Sequence, residues 1–252
     1  MIDSLNDRSS LLSYVAHDEL RFIRYAHSAS IVAIQMLATN NEIRPHVETL
    51  FRINAGFLPV GDGAYSGAAS RAIDVASDLV SSNFQVLRRS SLISLCAALE
   101  HLLKSVLVEW SEFAPEKIAG LEQVKISIHA SDFLEAEQRD RLFLVADKLY
   151  QDASSAKSYF EKLRAIFRTH LPDQTAALAI ELKNISENDV NEAFLIRNCL
   201  VHHGAKVSRF LSSRTEMEHG SPIILSAKSL GRYFDAIEKL ADAVVSCSVT
   251  SL

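Results

Sequence analysis

The stretch Ile196-Arg197-Asn198-Cys199-Leu200-Val201-His202-His203-Gly204, continued by Ala205-Lys206-Val207-Ser208-Arg209-Phe210, decides how the chain is read. Leu195, Ile196, Leu200 and Val201 supply the apolar side of a helix. Gly204 is a natural residue just past its end, because glycine accepts the left-handed backbone. The helix is therefore expected to stop within a residue or two of His203. At about 100° per residue, Asn198 and His202 lie one above the other, and Arg197 sits a long side chain away on the adjoining flank. Arginine offers a permanent, planar cationic fork suited to phosphate oxygens, and histidine exchanges protons near neutral pH. The helix C-terminus adds negative potential that suits a protonated imidazole. The grouping fits phosphoryl-transfer chemistry.

Charge around this stretch agrees with that reading. Between Ala193 and Thr215 there is no Asp or Glu, while Arg197, Lys206, Arg209 and Arg214 all fall there. The 252-residue chain carries a net charge of −5. That excludes a generally basic nucleic-acid coat and leaves room for a local basic site.

The run Arg197 to His202 resembles the R-x4-6-H motif of the HEPN superfamily (higher eukaryote and prokaryote nucleotide-binding domains), with a polar residue after the arginine. The helix Ser94-Leu-Cys-Ala-Ala-Leu-Glu100-His-Leu-Leu-Lys104 and the closing segment Ile223 to Phe234 are similar to those of RiboL-PSP-type HEPN proteins. The resemblance covers roughly residues 85 to 250 and implies an all-α, HEPN-like helical bundle. It further implies a metal-independent endoribonuclease without cofactor, acting as a toxin or an abortive-infection or defence effector. In that chemistry the RNA 2′-hydroxyl attacks the adjacent phosphate, leaving a 2′,3′-cyclic phosphate and a 5′-hydroxyl. Arg197, His202 and Asn198 become the candidate catalytic residues: Arg197 stabilises the phosphorane, His202 moves protons, and Asn198 binds phosphate or positions the histidine. His203 is a second candidate base and Glu100 a supporting residue, while Lys206 and Arg209 are candidate RNA contacts. One arginine and one histidine are few for acid, base and clamp together, so a homodimer that brings two motif helices to one cleft is expected. RNA is the expected partner, with an antitoxin or nucleotidyltransferase as a protein partner. The alternative is a non-catalytic HEPN module that binds nucleotide or protein in assembly or regulation. A third reading also stands: Arg197 and His202 satisfy free carbonyls at a helix end and do nothing more.

Glu100 itself admits two readings. It precedes Lys104 by four residues, the favourable order for an exposed ion pair on one helix. Alternatively it crosses the bundle and fixes the Arg197 fork, as acidic residues of the preceding helix do in HEPN relatives.

The rest of the chain sets the frame. Glycine and proline are scarce, 8 and 5 in all, which favours long helices over turn-rich strands. With 48% hydrophobic residues the core can be large. Cys96, Cys199 and Cys247 have no paired spacing and read as reduced core residues, with no structural metal site. No stretch of about 18 apolar residues without charge is evident and the start lacks a signal peptide, so a cytoplasmic protein away from membranes is expected.

In order, helices are expected over about Leu11–Ala38, Glu42–Ile53, Ala68–Val80 and Asn83–Trp110. His17 and His27 read as surface or half-buried residues of the first. The glycine-rich residues 54–67 lack the lysine of a phosphate-binding loop. They mark the boundary between an N-terminal helical extension (1–66) and the HEPN-like domain (67–252). The long helix carries Leu92, Leu95, Cys96, Leu99, Leu103, Val106 and Trp110 at helical spacing, an amphipathic signal. Gln123–His129 alternates like a short edge strand. Ser131 or Asp132, Ser154 or Ser155, Ser186 to Asp189, and Ser226 offer helix caps. Pro172 breaks a helix carrying Phe160, Leu163, Ile166 and Phe167, and Pro222–Leu225 reads as a short extended piece. A last helix carries Leu230, Phe234, Ile237, Leu240 and Val244.

Overall fold

The computed structural model describes residues 12–40, 64–125, 137–152 and 158–249, with residues 42, 46 and 49 singly. Among these the chain is all-α, with nine α-helices and no strand. They are α1 (Leu12–Thr39), α2 (Ala64–Ser81), α3 (Gln85–Phe113), α4 (Gln138–Asp152), α5 (Tyr159–His170), α6 (Thr175–Glu181), α7 (Glu187–His202), α8 (Arg209–Ser212) and α9 (Ala227–Val249). Lys206 and Pro222 form an isolated antiparallel bridge, where the short extended piece is expected.

Two compact units divide the described residues. One holds the chain up to Ile23 together with Leu92 onward, and the other holds Arg24–Ser91. In the larger unit the second half of α3 is the core helix. Leu102, Leu103, Val106, Leu107, Val108 and Trp110 are all buried. All seven residues of the expected apolar face, Leu92 to Trp110, are buried, and Ser94, Ala97 and His101 opposite them are exposed; beyond that, over residues 105–111, burial takes in every direction around the axis. By length and hydropathy α3 also reaches the measure of a membrane span, although Glu100 and Lys104 within it leave no uncharged run of about 18 residues, as expected. However, 61% of its most apolar window is buried against the protein, which accounts for that composition. Each fully buried leucine of this kind contributes about 1.5–3 kcal/mol.

Helices α5 and α9 follow the expected periodicity, whereas on α7 Ile196 is buried but Val201, expected on the buried side, is 48% exposed. On α5, Phe160, Leu163, Ile166 and Phe167 are buried, and on α9 Leu230, Phe234, Ile237, Leu240 and Val244 are. Pro172 ends α5 and opens a 3-10 turn, Pro172–Gln174. Ser226 Oγ caps α9 by accepting from Ser229 N at 2.9 Å. His17 is buried, with Nε2 at 2.7 Å from Asp242 Oδ1, so α1 is pinned to α9 by a residue expected nearer the surface.

Several element ends differ from expectation. Helix α2 begins at Ala64, inside the stretch read as a loop; residues 51–63 lie outside the described ones. Helix α3 begins at Gln85 rather than Asn83, because Asn83 and Phe84 take left-handed backbone (φ 53° and 56°) and so cannot belong to a right-handed helix. Gln123 closes a 3-10 turn, Leu121–Gln123, where a strand was expected to start, and the remainder of that stretch lies largely outside the described residues. Helix α4 is described from Gln138, and its expected caps at Ser131 or Asp132 lie outside. Helix α5 is capped by Ser158, whose side chain accepts from Glu161 N, rather than by Ser154 or Ser155. The expected helix Glu42–Ile53 also falls largely outside the described residues.

The smaller unit has its own local order. Arg88 Nη2 donates to Asn83 Oδ1 at 3.0 Å, which steadies the α2–α3 turn, and Ser91 Oγ lies 2.8 Å from His27 Nδ1. Burial, with the Arg88 charge second, lowers the His27 pKa.

Candidate functional site

Helix α7 carries the motif, and both of its ends are specified by local chemistry. Ser186 Oγ accepts from Asp189 N at 3.3 Å, and Glu187 and Asp189 place negative charge on the first turn. At the other end His203 N donates to Cys199 O at 3.0 Å, and Gly204 turns the chain with φ 59°. The chain then returns through Val207 and Ile223, both buried, with Val207 N donating to Ser221 O and Ile223 N to Ala205 O, each at 2.9 Å. Ser208 caps α8 by accepting from Leu211 N at 3.1 Å. Its hydroxyl also lies 3.2 Å from Cys199 Sγ, so α8 is tied to the motif helix.

These elements enclose a pocket of about 440 Å³ that includes Glu100, Lys162, Arg197, Asn198, His203 and Arg214 in its lining. Arg197 is among the lining residues. Its Nη2 donates to Glu100 Oε2 at 3.1 Å and its Nη1 to Asn198 Oδ1 at 3.0 Å. Of the two readings of Glu100, the cross-bundle one matches this geometry. Lys104 instead bonds Asp147 of α4. Glu100 also accepts from the Tyr150 hydroxyl, at 3.3 Å on its other oxygen. Burial first, and the Glu100 charge second, push the Tyr150 hydroxyl up, so it remains a protonated donor well into alkaline solution.

Beneath this layer Cys96 is fully buried, and burial raises its thiol. Tyr159 stacks on Phe194 at 3.6 Å between ring centroids, forming an apolar wall of the pocket. Lys162 reaches over Tyr150, with Nζ 3.5 Å from the ring centroid, and burial lowers its pKa. Three fixed cations, Lys162, Arg197 and Arg214, therefore line the pocket, and Glu100 is the carboxylate among its described lining residues. The balance favours an anion.

The other expected site residues are placed differently. Both His202 and His203 are exposed; His203 lines the pocket and His202 does not. One step of about 100° around the helix end separates the two directions. Lys206 and Arg209 are exposed and likewise do not line it. Asn198 is committed to Arg197. Residues not anticipated as site members include Lys162, Tyr150, Tyr159, Asn191, Phe210 and Arg214; of these, Arg214 was visible in the basic run after α7. Lys162 follows Tyr159 by three positions, which places it over the same helix face as that buried ring. Among the described residues no three His, Cys, Asp or Glu side chains converge as a metal site requires. Compared with protein-family models, curated proteins and solved structures, the chain finds no match.

Proposed function

We propose that this pocket is the site of a metal-independent, HEPN-type endoribonuclease acting in the cytoplasm as a toxin or defence effector. The observation that carries the reading is the Arg197 fork, held by Glu100 and Asn198 in one pocket with His203. In the proposed reaction the 2′-oxygen attacks phosphorus while the P–O5′ bond breaks. A base removes the 2′-hydroxyl proton and an acid supplies one to the departing 5′-oxygen. Arg197 meets the charge that grows on the phosphorane oxygens, and Lys162 and Arg214 add to the potential. His203 takes the proton-transfer role expected of His202, and five intervening residues after Arg197 still fit the motif spacing. Asn198 and Glu100 orient the guanidinium and leave contact with phosphate to it.

One imidazole per pocket supplies one proton carrier. The proposal therefore includes a homodimer in which a facing copy brings the second, and a separate antitoxin or nucleotidyltransferase that restrains the activity. The same count favours the second reading, a non-catalytic module that binds a nucleotide or a protein partner through the cationic pocket. RNA digestion in EDTA separates the two readings. The ribonuclease reading predicts fragments ending in 2′,3′-cyclic phosphate and 5′-hydroxyl, lost in Arg197→Ala. Intact RNA together with Arg197-dependent nucleotide binding would favour the second reading.

A further inference from the structure

We infer that the pocket takes one unstacked nucleotide, its phosphate at Arg197 and its base on Phe210; this rests on the reading above for the identity of the phosphate. Phe210 lines the pocket and is 49% exposed, so its ring is open to a ligand there. Arg214 lies over the ring, with its guanidinium carbon 4.4 Å from the centroid. Arg214 therefore covers one face of the ring, and the other face, or the outer plane of the guanidinium, is the kind of surface on which unpaired bases stack. Backbone geometry holds this layer in place: α8 is capped by Ser208 and anchored by buried Leu211.

The cationic end and the aromatic edge belong to the same pocket, whose volume of about 440 Å³ is at the low end of the roughly 300–1,000 Å³ typical of small-ligand sites. That suits one nucleotide. A second hollow of about 640 Å³ continues along α7 and shares Asn191, Leu195 and Arg214 with the first. Arg214 thus borders both, but Glu192 and Glu216 also line the second hollow and oppose a phosphate there, so the proposed nucleotide site is confined to the first. A-form duplex RNA keeps its bases paired and stacked, and presents none to such a layer.

The test is calorimetric titration of the full chain with adenosine 3′-monophosphate and, separately, with inorganic phosphate. The expected result is that Phe210→Ala weakens the nucleotide roughly 5- to 150-fold, the span for one lost base–aromatic stack. The same variant leaves phosphate binding unchanged, and Phe210→Trp restores the nucleotide. Arg197→Ala weakens both ligands. A single-stranded oligonucleotide that is not cleaved should also outcompete its duplex. Equal nucleotide affinity in wild type and Phe210→Ala, equal loss of both ligands, absence of nucleotide binding by the wild type, or duplex bound as tightly as single strand each overturns the inference. Phe210-dependent nucleotide binding without RNA cleavage upholds it while removing the ribonuclease reading; cleavage that is indifferent to Phe210 and to strandedness does the reverse.

Discussion

Removing the charge of Glu100 tests whether Arg197 is held as described. The bond from Nη2 to Oε2 is 3.1 Å long, and the two side chains are 22% and 26% exposed. A hydrogen bond to a charged group contributes about 1.5–3 kcal/mol net. Partial exposure admits solvent screening, which reduces the expected coupling to about 1–2 kcal/mol. The clean measure is a double-mutant cycle of Glu100→Gln, Arg197→Met and the pair, each unfolded in urea. The Tyr150 bond to the other Glu100 oxygen is altered equally whenever Glu100 is changed, so it cancels from the coupling to first order. Additivity within about 0.3–0.5 kcal/mol would refute the reasoning. Glu100→Gln also removes the negative charge opposing the pocket cations, so inorganic phosphate should bind more tightly. RNA cleavage should nevertheless slow, because the fork is less well fixed; faster cleavage would contradict a positioning role.

Lys162→Met should leave stability unchanged within about 0.5 kcal/mol or raise it, since it relieves the burial of a cation. It should weaken inorganic phosphate binding at least about tenfold, read by calorimetry. The hydroxyls of Tyr150, Tyr159 and Tyr233 are all raised above the ordinary tyrosine value of 10.0, first by burial. Their folded pKa values exceed the unfolded ones, so their contribution is complete below about pH 10 and falls as pH rises through the folded values. Urea unfolding in that range should lose up to about 1.4 kcal/mol per pH unit for each hydroxyl. Gly204→Ala meets no steric obstacle within 4 Å but must keep φ 59°, so it should cost about 1–2 kcal/mol by thermal unfolding.

Periodicity and capping made most helices readable, because each depends on neighbours three or four residues apart. Ser186, Gly204 and Ser226 mark their helix ends directly, and Pro172 breaks α5 where its ring demands. The start of α3 was not readable, since left-handed Asn83 and Phe84 answer to the α2–α3 turn and not to propensity. In the site, Arg197 and its neighbours stood out as charge at an apolar helix end. Lys162 and Tyr150 did not: they come from α5 and α4 and meet Arg197 only through packing. The choice between His202 and His203 depends on where α7 stops and which way each residue at its end turns, a matter of one residue that sequence patterns leave undetermined. Glu100 offered a local partner in Lys104 and took a distant one, because Asp147 occupies the lysine.

The most direct measurement is the rate of RNA cleavage in EDTA by purified wild type, Arg197→Ala, His203→Ala and His202→Ala, with thermal unfolding as the check on folding. The account predicts that wild type leaves cyclic-phosphate ends, that Arg197→Ala and His203→Ala lose at least about a hundredfold in rate, and that His202→Ala keeps most of it. Full activity in His203→Ala, or loss confined to His202→Ala, would contradict a site built around the pocket of Arg197.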